Sequence, residues 1–243
     1  MRFITKLSVV VAALFVASTA FASGPTMGNI ENGKNIFKNG KGDVPACNSC
    51  HGDDAMGSDA MGTPRLAGQG YPFLVKQLED FATDKRMDTT MFIMNVNAKG
   101  LSAEDRRDVA TYANSLTTEN SAPSNMKEVK DLGNAVGVRY QGKAIVTYGD
   151  VDRGIPSCYS CHGFNGRGAA PVYPVIGGQK YVYLVNQLKK WRDGSRANDP
   201  MAQMQAVAKN LTDDDINNVA HFLATAPRTT MGNTRVPGPY PHD

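Results

Sequence analysis

The amino-acid sequence predicts an all-α protein made of two tandem copies of one domain. Apolar residues recur with helical spacing, as at Leu74, Leu78 and Phe81, and this i, i+4, i+7 pattern marks one face of a helix. Ser102 and Thr212 each precede an aspartate by three positions, a close relative of the capping box that begins helices. No alternation of strand-like length is found in the sequence, which favours the helical class.

The two copies are recognised by segments that recur in the same order, most of them 110 residues apart. Such collinear matching predicts a duplicated domain rather than a solenoid array. The matched segments are Gly33-Lys34 with Gly142-Lys143, Ala67-Gly68-Gln69 with Gly177-Gly178-Gln179, Leu74–Leu78 with Leu184–Leu188, and Met91, Met94, Ala98, Lys99 and Leu101 with Met201, Met204, Ala208, Lys209 and Leu211.

Each copy is expected to contain three main helices in the same order. A short first helix covers Gly33 to Lys38 in one copy and Gly142 to Tyr148 in the other. The second helix carries the apolar stripe, and the third begins at the capping sequence. The apolar positions are Leu184, Leu188 and Trp191 in the second helix of the second copy, and Val109, Tyr112, Ala113 and Leu116 or Ile216, Val219, Ala220 and Leu223 in the third helices.

The first residues predict a signal peptide. Arg2 and Lys6 provide a positive start, Leu7 to Val16 an apolar stretch, and Ala20-Phe21-Ala22 a cleavage site of the A-x-A type. The apolar stretch is short for a membrane span. We therefore expect export and cleavage after Ala22, with an uncut signal acting as an anchor as the minor alternative. In a bacterium, this predicts the periplasm.

The chain is accordingly divided into five parts. Serine, proline and charged residues between the copies predict a surface linker, and prolines after the second copy predict a disordered end in preference to a docking segment. The parts are a signal peptide (1–22), an N-terminal domain (23–120), a linker (121–133), a C-terminal domain (134–226) and a proline-rich tail (227–243).

The charge of the chain gives no support for a nucleic-acid partner. The formal net charge is +3 and falls to +1 when the signal peptide, with Arg2 and Lys6, is removed. A nucleic-acid-binding chain would carry a concentrated basic patch.

All four cysteines lie in two C-x-x-C-H motifs, Cys47-Asn48-Ser49-Cys50-His51 and Cys158-Tyr159-Ser160-Cys161-His162. This motif attaches c-type haem. The two thiols form thioethers with the vinyl groups of the porphyrin, and the histidine becomes the proximal iron ligand. The sequence therefore predicts two covalent haem c groups, with Cys47, Cys50, Cys158 and Cys161 as attachment residues and His51 and His162 as ligands.

Four cysteines also allow other interpretations. Two disulfides would suit a secreted chain, and Cys/His clusters can bind zinc, while a lone pair can serve as a redox dithiol. A disulfide scaffold gives no reason for a histidine after both pairs. A zinc site would need further ligands, yet the first copy has no cysteine or histidine outside its motif.

The second axial ligand is expected to be methionine. The only histidines are His51, His162, His221 and His242, so the first copy cannot supply two imidazoles. Met56 and Met61 lie too close to His51 to reach the opposite haem face. The pairs Met91 and Met94, and Met201 and Met204, recur in register, but spacing alone does not choose within a pair, because residues three apart share one helical face.

The double C-x-x-C-H, the Gly-Gln motif and the Met…Ala-Lys-x-Leu-[Ser/Thr] sequence resemble the cytochrome c4 family, over about Gly33 to Ala226. The resemblance implies two class I cytochrome c domains related by pseudo-twofold symmetry, in a periplasmic or membrane-associated dihaem protein. It also implies Met94 and Met204 as axial iron ligands, leaving Met91 and Met201 to pack the haem pockets.

The same resemblance implies roles for residues around the haems. Pro64 and Pro174 would offer their carbonyl groups to the proximal imidazoles, a bond that fixes the tautomer. Val175 departs from the family at the position where Arg65 retains a basic residue. Arg86 and Arg196 could pair with haem propionates, or lie in solvent. His221 aligns with Thr111 and is expected to be structural or exposed.

The predicted function is outer-sphere electron transfer, because His and Met ligands would leave the iron no open position. The resemblance implies a quinol-oxidising complex or another dehydrogenase as donor and a terminal oxidase as acceptor. Peripheral membrane association and the oligomeric state stay open. The alternatives are a dihaem enzyme of the peroxidase or thiosulfate dehydrogenase type, and a redox subunit of a larger membrane complex docked by its tail.

Overall fold

The computed structural model describes residues 27–90, 92–116 and 123–226. The predicted signal peptide, Met91, part of the predicted linker and the proline-rich tail lie outside the described residues. Within the described residues, the regular elements are helices, with isolated two-residue bridges but no extended strand. The predicted all-α class is confirmed. No helix in this part of the chain is long and apolar enough to cross a membrane.

The helices of the N-terminal domain recur in the same order in the C-terminal domain, which begins with one additional helix. The N-terminal domain contains α1 (Ile30–Asn39), α2 (Asn48–His51), α3 (Tyr71–Ala82), α4 (Ile93–Gly100) and α5 (Ala103–Ser115). The C-terminal domain contains α6 (Met126–Asp131), α7 (Arg139–Tyr148), α8 (Cys158–His162), α9 (Tyr181–Asp193), α10 (Gln203–Lys209) and α11 (Asp213–Ala224), with short 3₁₀ turns at Phe164–Gly166 and Pro200–Ala202.

In each domain the first long helix packs closely against the last one. A Cβ atom placed on Gly33 of α1 would lie 2.0 Å from the carbonyl oxygen of Asp108 in α5, and one on Gly142 of α7 would lie 1.8 Å from that of Asn218 in α11. Glycine at these positions therefore lets two helix backbones approach each other directly. The repeat of Gly33 and Gly142 seen in the sequence thus has a packing cause.

The predicted capping boxes begin the last helices. The Ser102 hydroxyl accepts from the main-chain N–H of Asp105, while the Asp105 carboxylate accepts from the N–H of Ser102. Thr212 and Asp215 form the same reciprocal pair at α11. Each box satisfies two helix-end donors, so these sequences fix where α5 and α11 start.

The segment expected to be a surface linker contains a helix that packs on the C-terminal domain. Helix α6 places Val129 fully buried in the core cluster that includes Val146 and Tyr181. The Ser124 hydroxyl also accepts from the main-chain N–H of Tyr181 at 3.2 Å. The periodic signal of a six-residue helix is too short to be read from sequence, so this element was missed.

Candidate haem sites and the domain interface

Each C-x-x-C-H motif forms one short helical turn. In the first, Cys47 caps α2 and its carbonyl accepts from the N–H of His51 at 3.0 Å. Residues three and four apart lie on one face of such a turn, so the two thiols and the imidazole are presented together. The four cysteines are half-buried and form no disulfide with one another, which argues against the disulfide interpretation. Burial raises the pKa of Cys47 and of Cys158 to about 11.

Both motif histidines are buried and held by a proline carbonyl. The Nδ1 atom of His51 lies 3.0 Å from the Pro64 oxygen, and that of His162 lies 2.9 Å from the Pro174 oxygen. A carbonyl only accepts, so Nδ1 carries the proton and Nε2 keeps its lone pair. Burial lowers the pKa of both histidines, which favours the neutral form that binds metals. The bonds implied for Pro64 and Pro174 are confirmed.

The two methionines chosen as ligands occupy matching places. Met94 in α4 and Met204 in α10 are both half-buried. Each donates its main-chain N–H to a preceding aspartate, Met94 to Asp88 at 3.4 Å and Met204 to Asp199 at 2.6 Å. These contacts anchor the start of each helix. Met201 is 84% exposed, which argues against the pocket-packing role expected for it.

Arg86 and Arg196 lie neither in open solvent nor in separate pockets. Both are buried where the two domains meet, and each stacks on an aromatic ring of its own domain, Phe81 at 4.5 Å and Trp191 at 4.2 Å. We call these two residues the arginine pair. The solvent-exposed alternative from the sequence is therefore wrong for both.

The arginine pair is joined by amide side chains from both domains. Arg86 donates to Gln77 at 2.7 Å and to Gln187 at 2.9 Å, while Arg196 donates to Gln187 at 2.9 Å and to Gln77 at 3.2 Å. The hydroxyl of Tyr183 also accepts from Arg86 at 3.0 Å. Each arginine thus binds one glutamine of its own domain and one of the other, as a pseudo-twofold arrangement predicts.

The two buried positive charges of the arginine pair would be stabilised by an anion. Burial, followed by the nearby charge of Arg86, lowers the pKa of Arg196 to about 9. Burial alone would raise the pKa of Tyr183, but the two guanidinium charges lower it. The acceptors facing the arginine pair are amide and phenol oxygens rather than carboxylates. The negative charge of nearby Asp199 raises the pKa of Arg196 but does not offset the effect of burial. Buried cations that are incompletely paired are costly, so haem propionates would fit here.

Gln69 and Gln179 form a second crossed contact, which sequence reasoning missed. Gln179 accepts from the main-chain N–H of Arg65 at 2.7 Å and donates to its carbonyl at 2.9 Å. Gln69 does the same with Val175 of the other domain, at 2.8 Å for both bonds. The sequence signal was available, because both glutamines belong to the repeated Gly-Gln motif. The residues next to these glutamines in the sequence do not indicate that their hydrogen-bond partners lie in the opposite domain.

The Arg65 side chain adds to the same interface. It is buried, and Nη2 donates to the Gly177 carbonyl at 2.8 Å. In the opposite direction, the main-chain N–H of Val182 in the C-terminal domain donates to the Asp59 carboxylate of the N-terminal domain at 3.0 Å. Hydrogen bonds thus run in both directions between the domains, in agreement with the predicted pseudo-twofold relationship.

Comparison with known proteins places this arrangement in a family. The family model described as cytochrome c matches twice, at residues 30–117 and 142–227. Together with the paired motifs, this defines a two-domain c-type cytochrome. The chain belongs to the cytochrome c family, and within it to the dihaem cytochrome c4 group.

The relatives are electron-transfer proteins. A thiosulfate dehydrogenase electron acceptor from Thiomonas intermedia (strain K12) is 37% identical over 76% of this chain and 80% of its own length. Cytochrome c4 from Pseudomonas aeruginosa is 33% identical over 76% of this chain and 85% of its own. The chain is accordingly an electron-transfer protein rather than an enzyme, and it carries two covalently bound haem c groups.

Two solved structures are also similar. Reduced cytochrome c4 from Pseudomonas stutzeri aligns with a TM-score of 0.66 and 28% identity, covering 82% of this chain and all of that one. A thiosulfate dehydrogenase (TsdBA) from Marichromatium purpuratum aligns with a TM-score of 0.73 and 33% identity over 82% of this chain. The chain spans 40% of the length of that second protein.

Proposed function

We propose that this protein accepts electrons from a periplasmic dehydrogenase of the thiosulfate-oxidising type and delivers them to a terminal oxidase. The observation that carries the proposal is the duplicated site, in which each C-x-x-C-H turn has a buried histidine with a free Nε2 and a matched methionine helix. With methionine as the second ligand, both iron sites would be closed, which favours electron transfer because an enzyme would need one site open to its substrate.

The site residues have the following proposed roles. Cys47, Cys50, Cys158 and Cys161 hold the two haems by thioether bonds, and His51, Met94, His162 and Met204 are the axial ligands. When bound, each haem supplies a one-electron iron couple, and a thioether ligand raises its reduction potential relative to a second imidazole. The Pro64 and Pro174 carbonyls orient the imidazoles, and the buried cores exclude water from the haem faces.

The arginine pair is proposed to hold the haem propionates at the domain interface. Each of its two buried guanidinium groups stacks on an aromatic ring and is oriented by a glutamine side chain. A negatively charged propionate would therefore stabilise both. Propionates drawn to one cluster from both domains would bring the two haem edges towards each other. Electrons could then pass between the haems within one chain.

The donor is proposed from the relatives. A relative of 37% identity is named as an electron acceptor of thiosulfate dehydrogenase, and a solved thiosulfate dehydrogenase contains a similar unit within a longer chain. Both similarities favour direct contact between this type of cytochrome and that type of enzyme. The signal peptide predicted at 1–22 and the family resemblance together support a periplasmic location.

The test is rapid-mixing reduction of the purified, oxidised holoprotein. Thiosulfate with a purified thiosulfate dehydrogenase should reduce both haems, whereas thiosulfate alone should reduce neither. Reduction by thiosulfate alone would contradict the carrier function, because the chain would then be acting as the enzyme. Reduction only by a quinol-oxidising complex with quinol would overturn the proposed donor. Rapid stoichiometric binding of carbon monoxide to the reduced protein would contradict two closed sites.

A further inference from the structure

The peptide group that holds each proximal histidine is itself held by a glutamine of the opposite domain. The carbonyl of Pro64, which accepts from His51, belongs to the same peptide unit as the N–H of Arg65, which donates to Gln179. A continuous hydrogen-bonded path therefore runs from the Gln179 amide, through one peptide unit, to the imidazole of His51.

The mirror path exists in the other direction. The carbonyl of Pro174 accepts from His162 at 2.9 Å, and the N–H of Val175 in the same peptide unit donates to Gln69 at 2.8 Å. Each glutamine is buried, with 5% of its surface exposed. The two domains thus exchange equivalent contacts, each ending at the other domain's histidine.

The orientation of each amide is fixed by its neighbours. The Oε1 atom of Gln179 accepts from the N–H groups of Arg65 and Lys180, and that of Gln69 accepts from those of Val175 and Gly70. An N–H group requires an acceptor, so the oxygen of each glutamine must face these donors. The Nε2 atom then faces a carbonyl, as the 2.9 and 2.8 Å contacts show.

We propose that Gln69 and Gln179 are positioning residues that act on the proximal ligand of the opposite domain, Gln179 on His51 and Gln69 on His162. The peptide unit is planar, so holding its N–H also fixes the direction of its carbonyl. Donation from the N–H polarises the carbonyl, because linked hydrogen bonds strengthen one another. A stronger acceptor at Nδ1 makes the imidazole a more basic ligand, which favours the oxidised iron.

This inference rests on the proposed role of His51 and His162 as axial ligands. Its consequence is that each haem is tuned from the neighbouring domain, so the domain interface contributes to both reduction potentials. Closing or loosening the interface would change the potentials without any change in the ligands.

The test uses the full-length holoprotein carrying Gln179→Met or Gln69→Met, which keep side-chain length but remove both hydrogen-bonding groups. Each haem is followed separately by NMR during a redox titration, using the ligand-methionine signals assigned with Met94→Ala. Gln179→Met should raise the ratio of reduced to oxidised N-terminal haem by about threefold or more at a fixed solution potential. The C-terminal haem should change less than that, and Gln69→Met should give the mirror result.

Two further variants separate this effect from a loosened interface. Gln179→Glu keeps an acceptor oxygen for the Arg65 N–H but loses the bond to the Arg65 carbonyl. Its added negative charge also favours oxidised iron, so the N-terminal haem should be no easier to reduce than in the native protein. Thr90→Val removes a neutral acceptor of the inter-domain bond from Lys190, which is 2.7 Å long and touches no proximal peptide. It should leave both potentials unchanged. Hydrogen exchange at the His51 Nδ1 proton should accelerate in Gln179→Met alone.

The inference would be overturned if the reduction potential changed mainly at the haem of the glutamine's own domain. It would also be overturned if both potentials changed equally, or if neither changed. Absence of both ligand-methionine signals from the spectrum of the native protein would instead overturn the proposed ligands. The two failures are therefore distinguishable in one set of spectra.

Discussion

Gly142 of α7 lies so close to Asn218 of α11 that an added Cβ would sit 1.8 Å from the Asn218 carbonyl oxygen. We expect Gly142→Ala to destabilise the C-terminal domain by about 1–3 kcal/mol, since the backbone of α11 cannot move aside cheaply. The helix-propensity gain of alanine, about 0.5–1 kcal/mol, is smaller and would not offset this cost. Denaturant unfolding followed by circular dichroism measures the change.

Gly33→Ala should affect the N-terminal domain in the same way, through Asp108. The matched control is Gly70→Ala, because Gly70 has an ordinary φ of −59° and open space where a Cβ would lie. A stability loss in the control equal to that in Gly142→Ala would contradict the packing explanation.

The methionine assignment is tested by Met94→Ala and Met204→Ala. Each should abolish the near-infrared methionine–iron(III) band of one haem and lower the potential of that haem, because a thioether ligand favours reduced iron. Near-infrared absorption and redox titration measure both effects. Met201→Ala is the matched control, as this exposed residue lies three positions from Met204. Both bands surviving in the double variant would show that other residues are the ligands.

Asp105 should make the N-terminal domain sensitive to acid. Burial alone would raise the pKa of Asp105, but hydrogen bonds from Lys41, Ser102 and Asn32 lower it to about 2. A folded-state pKa below the unfolded value of 3.8 stabilises the domain above about pH 4, and this stability is lost as the pH falls through about 2. Asp105→Asn should therefore cost about 2 kcal/mol at neutral pH.

The measurement is the free energy of unfolding between pH 2 and pH 7. In Asp105→Asn, the free energy of unfolding should depend less on pH below pH 4 than in the native protein. In Asp43→Asn, which changes an exposed residue, this pH dependence should stay as in the native protein. An unchanged pH dependence in Asp105→Asn would refute the role of this carboxylate.

The arginine pair should raise the potentials of the haems. Arg196→Gln removes one buried positive charge and should make both haems harder to reduce, because a nearby cation favours the reduced, less positive iron centre. Lys127→Gln removes the same charge from an exposed position in α6 and should have little effect, since solvent screens it. Spectroelectrochemical titration compares the two, and equal shifts would argue against propionate pairing.

Short-range features were predictable because their physics is local. The C-x-x-C-H turns, the capping boxes at Ser102 and Thr212 and the apolar helix stripes each depend on residues a few positions apart. The repeat then matched each predicted helix of one domain to a helix of the other. Helix α6 was missed because six residues carry too little periodicity to be recognised.

The amino-acid sequence by itself determined the helical class, the duplication, the covalent haem motifs and the shortage of histidines that favours methionine. Only the tertiary structure decided that Arg86 and Arg196 meet at the interface, and that Gln69 and Gln179 hold the proximal loops of the opposite domain. These contacts join residues more than 100 positions apart, and a repeat does not specify how its two copies dock. That arrangement depends on surface complementarity, which exists only after each domain has folded.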